Sequence, residues 1–345
     1  MTSEDAQLRK WYAPPTSFDW GGGGDNGKGR IDVGVDIGSS KVCVVVGERT
    51  PMAGINIMAV AEVPTRGYSR GLVSDLAALT ECVVAAIEKA EDESEVLIRQ
   101  VMLAVAGESL VGENYQVEVD VTGFRGKVSK SDCKELLEQI SELEFPHDHV
   151  RLHQVVQRYT IDGALVKGSP IGQRGTRLGA SFHVVHGLQD QLKDVIRCVT
   201  KAGVEVLDVI FSPLASAKAV VDEDAEWLGC LVMDVGAEMT GYVVYNNGVI
   251  SQSGVVRFQS GGANSANLMA HFAAIQSRLG ADAVGLHALL MTGGGSLNPT
   301  VVEIAEEIFH VPVRAVYEHP PAGRPAAFQN PRASAALGAI MYARG

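Results

Sequence analysis

The sequence predicts an α/β protein built from two similar domains, and three stretches of the chain are the basis of this prediction. Residues 33–42 read VGVDIGSSKV and residues 233–245 read MDVGAEMTGYVVY. An apolar strand, an Asp-x-Gly turn and a second apolar strand thus occur twice, half a chain apart, which favours two homologous domains. The third stretch is MTGGGSLN, residues 291–298, a buried strand that runs into three glycines.

The composition is that of a globular protein with room for two domains. The chain has 345 residues, of which 46% are hydrophobic and 20% charged. Its net charge of −12 argues against binding to nucleic acid. The cysteines at 43, 82, 133, 198 and 230 form no C-x-x-C pair, which indicates a reduced, cytoplasmic compartment. We find no apolar run near the roughly 18 residues of a membrane span and no secretory signal.

Hydrophobic spacing and capping residues predict the elements of the first half. A helix is expected to start near Ser74 or Asp75, and Ser129 with Asp132 forms a capping box for the next. A third helix, from Leu188 to Ala202, is expected to end at Gly203, and Ser212 is expected to cap a fourth. The predicted strands lie within residues 31–48 (two strands joined by a tight turn), 55–63, 101–107, 114–121, 152–160, 180–187 and 204–210.

The second half begins with a hairpin that turns at Asn246-Asn247-Gly248. Asn298-Pro299 and Asn330-Pro331 each predict the start of a helix. The expected organisation is a flexible arm (1–30), a first domain (31–100 with 204–229), an inserted small domain (101–203) and a second domain (230–345).

The two Asp-x-Gly turns carry groups that suit an anion held through a cation. Glycine leaves backbone N–H groups uncovered, serine and threonine add hydroxyl donors, and Lys41 adds a charge suited to phosphate. A carboxylate beside phosphate needs a cation, and Mg²⁺ binds carboxylates together with phosphate oxygens. Two facing turns therefore predict a Mg-nucleotide cleft with Asp36 and Asp234 at the metal. The alternative is two ordinary hairpin turns, in which Asp and Gly are common.

The triple glycine would form a third wall of this cleft, because a bare backbone lets a flat purine or an α-phosphate come close. The candidate nucleotide-binding residues are Asp36, Gly38, Ser39, Ser40, Lys41, Asp234, Gly236, Thr240, Gly293, Gly294 and Gly295.

In this order the three stretches resemble the phosphate and adenosine loops of the actin-like ATPase superfamily, whose ribonuclease H-like domain is duplicated. Within it the chain resembles the FtsA-type cell-division proteins. Residues 65–91 are similar to their Arg-Gly-x-Val-x-Asp stretch and the helix after it, and residues 101–119 and 155–221 to the entry and exit of their inserted α+β domain. The fold implied is actin-like, with duplicated domains and a small insertion.

The resemblance implies a scaffold that binds ATP and Mg²⁺, self-associates, and links the FtsZ ring and other divisome proteins to the membrane. It would lie in the cytoplasm, peripherally at the inner membrane at midcell. The candidate residues above would line the phosphates, the metal and the adenosine, and no catalytic residue is assigned.

Three departures from the family pattern change these expectations. Ala237, Glu238 and Met239 replace smaller residues of the second loop and are expected to crowd the γ-phosphate side, so ATP hydrolysis would be weak or absent. The short step from residues 260–272 to the triple glycine implies that the outer lobe of the second domain is missing. The chain stops at MYARG without a basic amphipathic helix, so the membrane would be reached by an unidentified route.

Two other functions stay open from the sequence. One is a pilus-assembly scaffold of the PilM type, and the other is an ATP-dependent small-molecule kinase, for which we find no Asp base between the loops. His147, His149 and His153 have a spacing that could ligate a metal, but we expect them in a surface loop and assign no metal to them.

Overall fold

The structure is a computed structural model in which the described residues form two compact units. The smaller unit comprises residues 112–187, and the larger comprises residues 30–111 and 188–342. The described ranges are 30–50, 54–258, 265–283, 285–317 and 329–342. The predicted arm lies outside them except for Arg30. The smaller unit is narrower than the predicted 101–203 segment, because the strand before it and the helix after it belong to the larger unit.

Strands outnumber helices in the described part of the chain. The strands are β1 (Arg30–Ile37), β2 (Lys41–Thr50), β3 (Gly54–Pro64), β4 (Tyr68–Ser69), β5 (Leu72–Val73), β6 (Gln100–Val105), β7 (Val111–Asp120), β8 (His149–Ile161), β9 (Ala164–Val166), β10 (Arg177–Leu188), β11 (Glu205–Phe211), β12 (Cys230–Val235), β13 (Met239–Asn246), β14 (Val249–Arg257), β15 (Ala288–Thr292) and β16 (Val313–Ala315). The helices are α1 (Leu76–Ser94), α2 (Lys130–Ser141), α3 (Gln189–Lys201), α4 (Ser212–Val220), α5 (Glu223–Leu228), α6 (Ser265–Leu279), α7 (Pro299–Phe309) and α8 (Ser334–Tyr342).

The larger unit contains the same strand arrangement twice. In the first sheet the order is β11-β6-β1-β2-β3. Strand β2 pairs antiparallel with both β1 and β3, whereas β6 pairs parallel with β1, and β11 pairs parallel with β6. In the second sheet the larger unit contributes the order β16-β15-β12-β13-β14, with the same pattern of antiparallel and parallel pairs. The predicted duplicated α/β fold is therefore confirmed.

The two aspartates occupy equivalent places in this repeat. Asp36 is the last residue but one of β1 and pairs with Cys43 of β2, and Asp234 is the last residue but one of β12 and pairs with Gly241 of β13. Each is also in register with a neighbouring parallel strand, Asp36 with Ala104 of β6. The duplication thus places a carboxylate at the same corner of each sheet.

Helices α4 and α8 pack against each other and against strands of these sheets, α4 against strands of both and α8 against β1, β2 and β6. Their facing residues are small, which lets the two backbones come unusually close. A Cβ placed on Gly338 of α8 would lie 1.7 Å from the carbonyl oxygen of Ala215 in α4. A Cβ on Gly34 of β1 would lie 2.1 Å from the carbonyl oxygen of Ala336. Glycine is therefore required at both contacts.

The smaller unit has its own hydrophobic core, formed between α2 and the strand order β7-β10-β8-β9. Its largest buried side chains include Phe182, Leu136 and Ile140. The capping box predicted for α2 is present, since the Ser129 side chain accepts from the Asp132 N–H and the Asp132 carboxylate accepts from the Ser129 N–H.

Most of the predicted element boundaries agree with the structure, and two differ. The hairpin turn is confirmed, with Asn247 and Gly248 both at positive φ. Ser212 is the first residue of α4 and not its cap, so the predicted capping role is wrong. Asn330 caps a short 3-10 turn that precedes α8. Within the described ranges, no helix is long and apolar enough to cross a bilayer.

Candidate functional site

One cleft in the larger unit brings together the tips of the two repeated strand pairs. Asp36 and Ser39 line it from the first sheet, and Asp234 and Glu238 line it from the second. The cleft is partly open to solvent, and its empty space, counted together with that opening, is about 510 Å³. Asp36 and Asp234 therefore face a common space, as the sequence motifs predicted.

Helix α4 holds both aspartates by one serine each. The Ser212 hydroxyl donates to Asp36 Oδ1 at 3.3 Å, and the Ser216 hydroxyl donates to Asp234 Oδ2. Residues four apart lie on the same face of a helix, so this spacing lets one helix serve two sheets. The serines orient the carboxylates toward the cleft.

The two carboxylates are electrostatically coupled. Burial raises the pKa of Asp36 from 3.8 to about 6, with a smaller lowering by Lys41 and a further rise from the negative charge of Asp234. Burial also raises the pKa of Asp234, although the Ser216 hydroxyl and Lys41 act in the opposite direction. Two half-buried carboxylates with raised proton affinity form a site that favours a cation.

The first turn is tight but only part of it faces the cleft. The Gly38 N–H donates to the Lys41 carbonyl at 2.9 Å, and the Thr65 hydroxyl donates to the Gly38 carbonyl at 2.8 Å. Gly38 and Ser39 line the cleft. Ser40 is exposed, and its carbonyl accepts from the Thr65 N–H at 3.1 Å.

Lys41 is occupied by partners within the chain. Its ammonium donates to the carbonyl of Arg332 and lies 3.6 Å from a carboxylate oxygen of Glu62. Glu62 in turn accepts from the Arg332 guanidinium at 2.9 Å. The structure thus places Lys41 beside the aspartates electrostatically but outside the residues that line the cleft.

The second turn shows the same division. Gly236 lines the cleft, and its N–H donates to the Met239 carbonyl at 2.9 Å. Thr240 is fully buried and faces away, where its hydroxyl lies 2.8 Å from Nε2 of His271 on α6. The structure does not bring Thr240 to the cleft, because the alternation of β13 turns its side chain to the helix-covered face.

Two of the three consecutive glycines pack closely against the end of β12. A Cβ on Gly293 would lie 2.3 Å from Asp234 Oδ1, and a Cβ on Gly295 would lie 2.5 Å from the side chain of Val235. Only Gly294 of the three has open space where a side chain would be. The glycines at 293 and 295 therefore let the loop pack on the end of β12, and Gly294 is the one that a ligand could approach.

Three residues at the site carry no glycine-rich or Asp-x-Gly signal. Ser212 and Ser216 are separated by four residues in SPLASAKAV, and this spacing is the signal that would have found them. Glu238 accepts hydrogen bonds from the Ser69 hydroxyl at 2.9 Å and from the Arg70 N–H at 3.0 Å. The sequence predicts Glu238 to be a bulky residue of the second loop but gives no sign of these partners.

Comparison with known protein families gives a match inside the chain. Residues 107–186 match the family described as the SHS2 domain inserted in FtsA. This range nearly coincides with the compact unit of residues 112–187.

Several curated proteins, each named cell division protein FtsA, match a longer stretch of the chain. Cell division protein FtsA of Neisseria meningitidis is 32% identical over 222 residues, which cover 64% of this chain and 53% of that protein. FtsA of Escherichia coli K12 is 31% identical, with 66% of this chain and 54% of that protein covered. FtsA of Pseudomonas aeruginosa is 26% identical over 91% of this chain and 89% of its own length.

The resemblance to FtsA is confirmed. In the first two alignments the chain spans about half the length of its FtsA relatives.

Two solved structures show the same fold as this FtsA-like chain. The PilM-PilN type IV pilus biogenesis complex superposes with a TM-score of 0.60 over 91% of this chain and 98% of that one, at 17% identity. The ethanolamine utilization protein EutJ from Carboxydothermus hydrogenoformans gives a TM-score of 0.52 over 91% of this chain and 90% of that one, at 14% identity. At these identities the likeness concerns the fold alone.

Proposed function

We propose that the chain binds ATP with Mg²⁺ in the cleft between its two repeated sheets and acts as an FtsA-type cell-division scaffold. The observation that carries this proposal is that Asp36 and Asp234, at equivalent corners of a duplicated fold, line one cleft. In this proposal the first domain comprises residues 31–100 with 204–229, the insertion lies within 101–203, and the second domain comprises 230–345.

The donor set fits a magnesium ion that is shared with phosphate. The pKa of both half-buried carboxylates is raised, and a divalent cation between them would offset the cost of their negative charges. Hydrogen bonds from Ser212 and Ser216 hold the two carboxylates in place. Within the described residues, no group of three His, Cys, Asp or Glu side chains is arranged to hold a metal by itself. Mg²⁺ can bind through one or two carboxylates and complete its shell with phosphate oxygens and water.

The remaining candidate residues divide by position. Gly38 and Ser39 of the first turn and Gly236 of the second line the cleft and would meet phosphate oxygens. Gly294, which has open space around it but is not among the residues that line the cleft, would meet the adenosine. Lys41 would attract the phosphates by its positive charge without direct contact, since its ammonium is paired with Glu62. Ser40 and Thr240 would support the two turns from outside the cleft, and Gly293 and Gly295 would shape the loop under Gly294.

The scaffold role, in which the chain self-associates and links FtsZ and the divisome to the inner membrane, is supported by the inserted domain and the curated relatives. The short connection from α6, which ends at Leu279, to β15, which begins at Ala288, supports a shortened second domain. We assign no catalytic residue, and we infer that hydrolysis is weak or absent.

Calorimetric titration with Mg-ATP tests the site. We expect Asp234→Ala to weaken Mg-nucleotide binding at least tenfold, because it removes one of two facing carboxylates. Lys201→Ala is the control, since Lys201 is exposed at the end of α3 and lies away from the cleft. Equal effects of the two substitutions, with both variants folded, would contradict the assignment.

A pull-down with purified FtsZ tests the scaffold role separately. Retention of FtsZ is expected for an FtsA-type protein. The PilM-PilN complex has the same fold. A scaffold of the PilM type is not expected to retain FtsZ. Substrate-dependent ATP turnover with small-molecule acceptors would favour the kinase alternative instead.

A further inference from the structure

The carboxylate of Glu238 occupies a cluster of donors on the opposite side of the cleft from its own hairpin. The Ser69 hydroxyl lies 2.9 Å from one carboxylate oxygen and 3.1 Å from the other, and the Arg70 N–H donates at 3.0 Å. The Ser39 hydroxyl accepts from the same Arg70 N–H at 3.2 Å, so Ser39 belongs to this cluster. Glu238 therefore links the second Asp-x-Gly turn to the turn between β4 and β5 and, through the shared Arg70 N–H, to Ser39 of the first Asp-x-Gly turn.

The donors around Glu238 are those of a phosphate site. Arg70, with φ 53°, and Gly71, with φ 82°, form the turn between β4 and β5. This turn directs the Arg70 N–H at Glu238 and Ser39, which both line the cleft. A turn N–H, two serine hydroxyls and a nearby guanidinium are the groups that commonly bind phosphate oxygens. In this cleft they are satisfied by a carboxylate of the chain itself.

Glu238 is ionised at neutral pH in this setting. Burial raises its pKa, but hydrogen bonds from Ser39, Ser69 and the Arg70 N–H, together with the Arg70 charge, outweigh burial and lower the pKa. The cleft that Asp36 and Asp234 line therefore contains a further negative charge, and this charge is held by Ser69 and by the Arg70 N–H.

We propose that Glu238 makes the cleft selective for nucleoside diphosphates over triphosphates by occupying the donors that a third phosphate group would need. A diphosphate leaves the contacts to Ser69 and Arg70 in place. A triphosphate must displace the carboxylate or meet its charge. This inference rests on the proposed nucleotide site and deepens it.

Titration of the folded 345-residue chain with Mg-ADP and with a Mg-bound non-hydrolysable ATP analogue tests the inference. We expect the wild type to bind the diphosphate at least tenfold more tightly than the triphosphate analogue. Glu238→Gln keeps the shape and removes the charge, and it is expected to strengthen triphosphate binding at least tenfold while changing diphosphate binding less than threefold.

Two variants separate selectivity from general effects of charge or folding. Glu307→Gln removes one negative charge from the exposed face of α7 and should leave both affinities unchanged. Ser69→Ala removes one donor but keeps the carboxylate, and it should reduce the diphosphate preference less than Glu238→Gln does. If Glu238→Gln does not fold, a diphosphate preference of Ser69→Ala below that of the wild type supports the selectivity, and an unchanged preference contradicts it.

Equal affinity of the wild type for the two nucleotides, or an equal effect of Glu238→Gln on both, would overturn the selectivity while leaving the nucleotide site standing. Failure of wild type and variants to bind either nucleotide at millimolar concentration would overturn the proposed site, and the selectivity with it.

Discussion

At the scale of single residues, the charge of Asp36, a residue of the proposed nucleotide site, lowers the stability of the fold. Its ordinary pKa of 3.8 rises to about 6, first through burial and then through Asp234. The folded protein therefore binds a proton that the unfolded chain has already released between pH 4 and 6. Ionised Asp36 destabilises the nucleotide-free fold above this range, and acidification through it relieves the cost.

We expect Asp36→Asn to stabilise the nucleotide-free protein at pH 7.5 by about 1–3 kcal/mol, since one pKa unit corresponds to about 1.4 kcal/mol. The same variant should lose Mg-nucleotide binding. Urea unfolding at pH 7.5, 6 and 4.5 measures the effect, which should shrink toward the lowest pH. Asp92→Asn, on the exposed side of α1, is the control. A lower free energy of unfolding for Asp36→Asn at pH 7.5 would contradict this account.

Some of these residue roles were predictable from the sequence and some were not, for a physical reason. Asp36 and Asp234 follow from a local pattern, a strand that ends in Asp-x-Gly. The partners of Lys41 and Thr240 lie 291 and 31 residues away, at Arg332 and His271. No local pattern states which of several nearby groups a long or buried side chain will meet, so the sequence places both in the cleft when the fold directs them elsewhere.

At the scale of elements, the crossing of α4 and α8 supports the site from behind. The Ser212 and Ser216 hydroxyls reach the two aspartates only if α4 lies at a fixed depth beside the sheets. That depth is set by the contact between Gly338 and Ala215, where no side chain fits. The same small residues that the sequence shows as SPLASAKAV and SAALGAIMY are what permit this approach.

The substitution Gly338→Ala tests the crossing, because it has two opposite effects on the free energy of unfolding. In an isolated helix, alanine would be favoured over glycine by about 1 kcal/mol. At this crossing its Cβ would lie 1.7 Å from a backbone oxygen, so we expect a net loss of about 2–3 kcal/mol from overpacking. Urea unfolding measures the change. Gly107→Ala is the matched control, because its Cβ would meet nothing closer than 3.8 Å. A stabilised Gly338→Ala variant would show that the backbones can move apart.

Strand order was less accessible to sequence analysis than strand position. The repeated hairpins follow from alternating apolar residues and turn signals, but the pairing of β6 with both β1 and β11 joins segments about 70 and 100 residues from it. This pairing makes β6 part of the larger unit, although the segment predicted as the insertion begins at residue 101.

At the scale of the whole molecule, the buried titratable groups predict that the two units respond differently to acid. In the smaller unit, burial lowers the pKa of His153 and of His183 from 6.5 to about 4. Both remain neutral in the fold while the unfolded chain takes up protons, so their contribution to stability is complete above pH 6.5 and is lost as pH falls toward 4. Although burial acts in the opposite direction, hydrogen bonds from Thr122 and Ser129 lower the pKa of Asp132, and the fold loses this contribution too as pH falls.

The larger unit holds groups of opposite sign. Burial lowers the pKa of His271 to about 4, which costs stability on acidification, whereas the raised pKa of Asp36 returns stability over the same range. These two contributions offset each other. His153 and His183 of the smaller unit act in the same direction, so we expect the stability of the smaller unit to fall first between pH 6.5 and 4.5.

Hydrogen exchange of the full chain, corrected for the intrinsic pH dependence of exchange, measures this for each unit. We expect protection of α2 and its sheet to fall by about 5 kcal/mol between pH 7 and 4.5, because each of the two histidines loses about two pKa units' worth of stability over this range. This loss should precede that of the larger unit. The double variant His153→Gln with His183→Gln should remove most of this acid sensitivity, and His147→Gln, whose side chain is 98% exposed, should remove none. Simultaneous loss of protection in both units would show that they unfold as one body, in which case the histidines would set the acid stability of the whole chain.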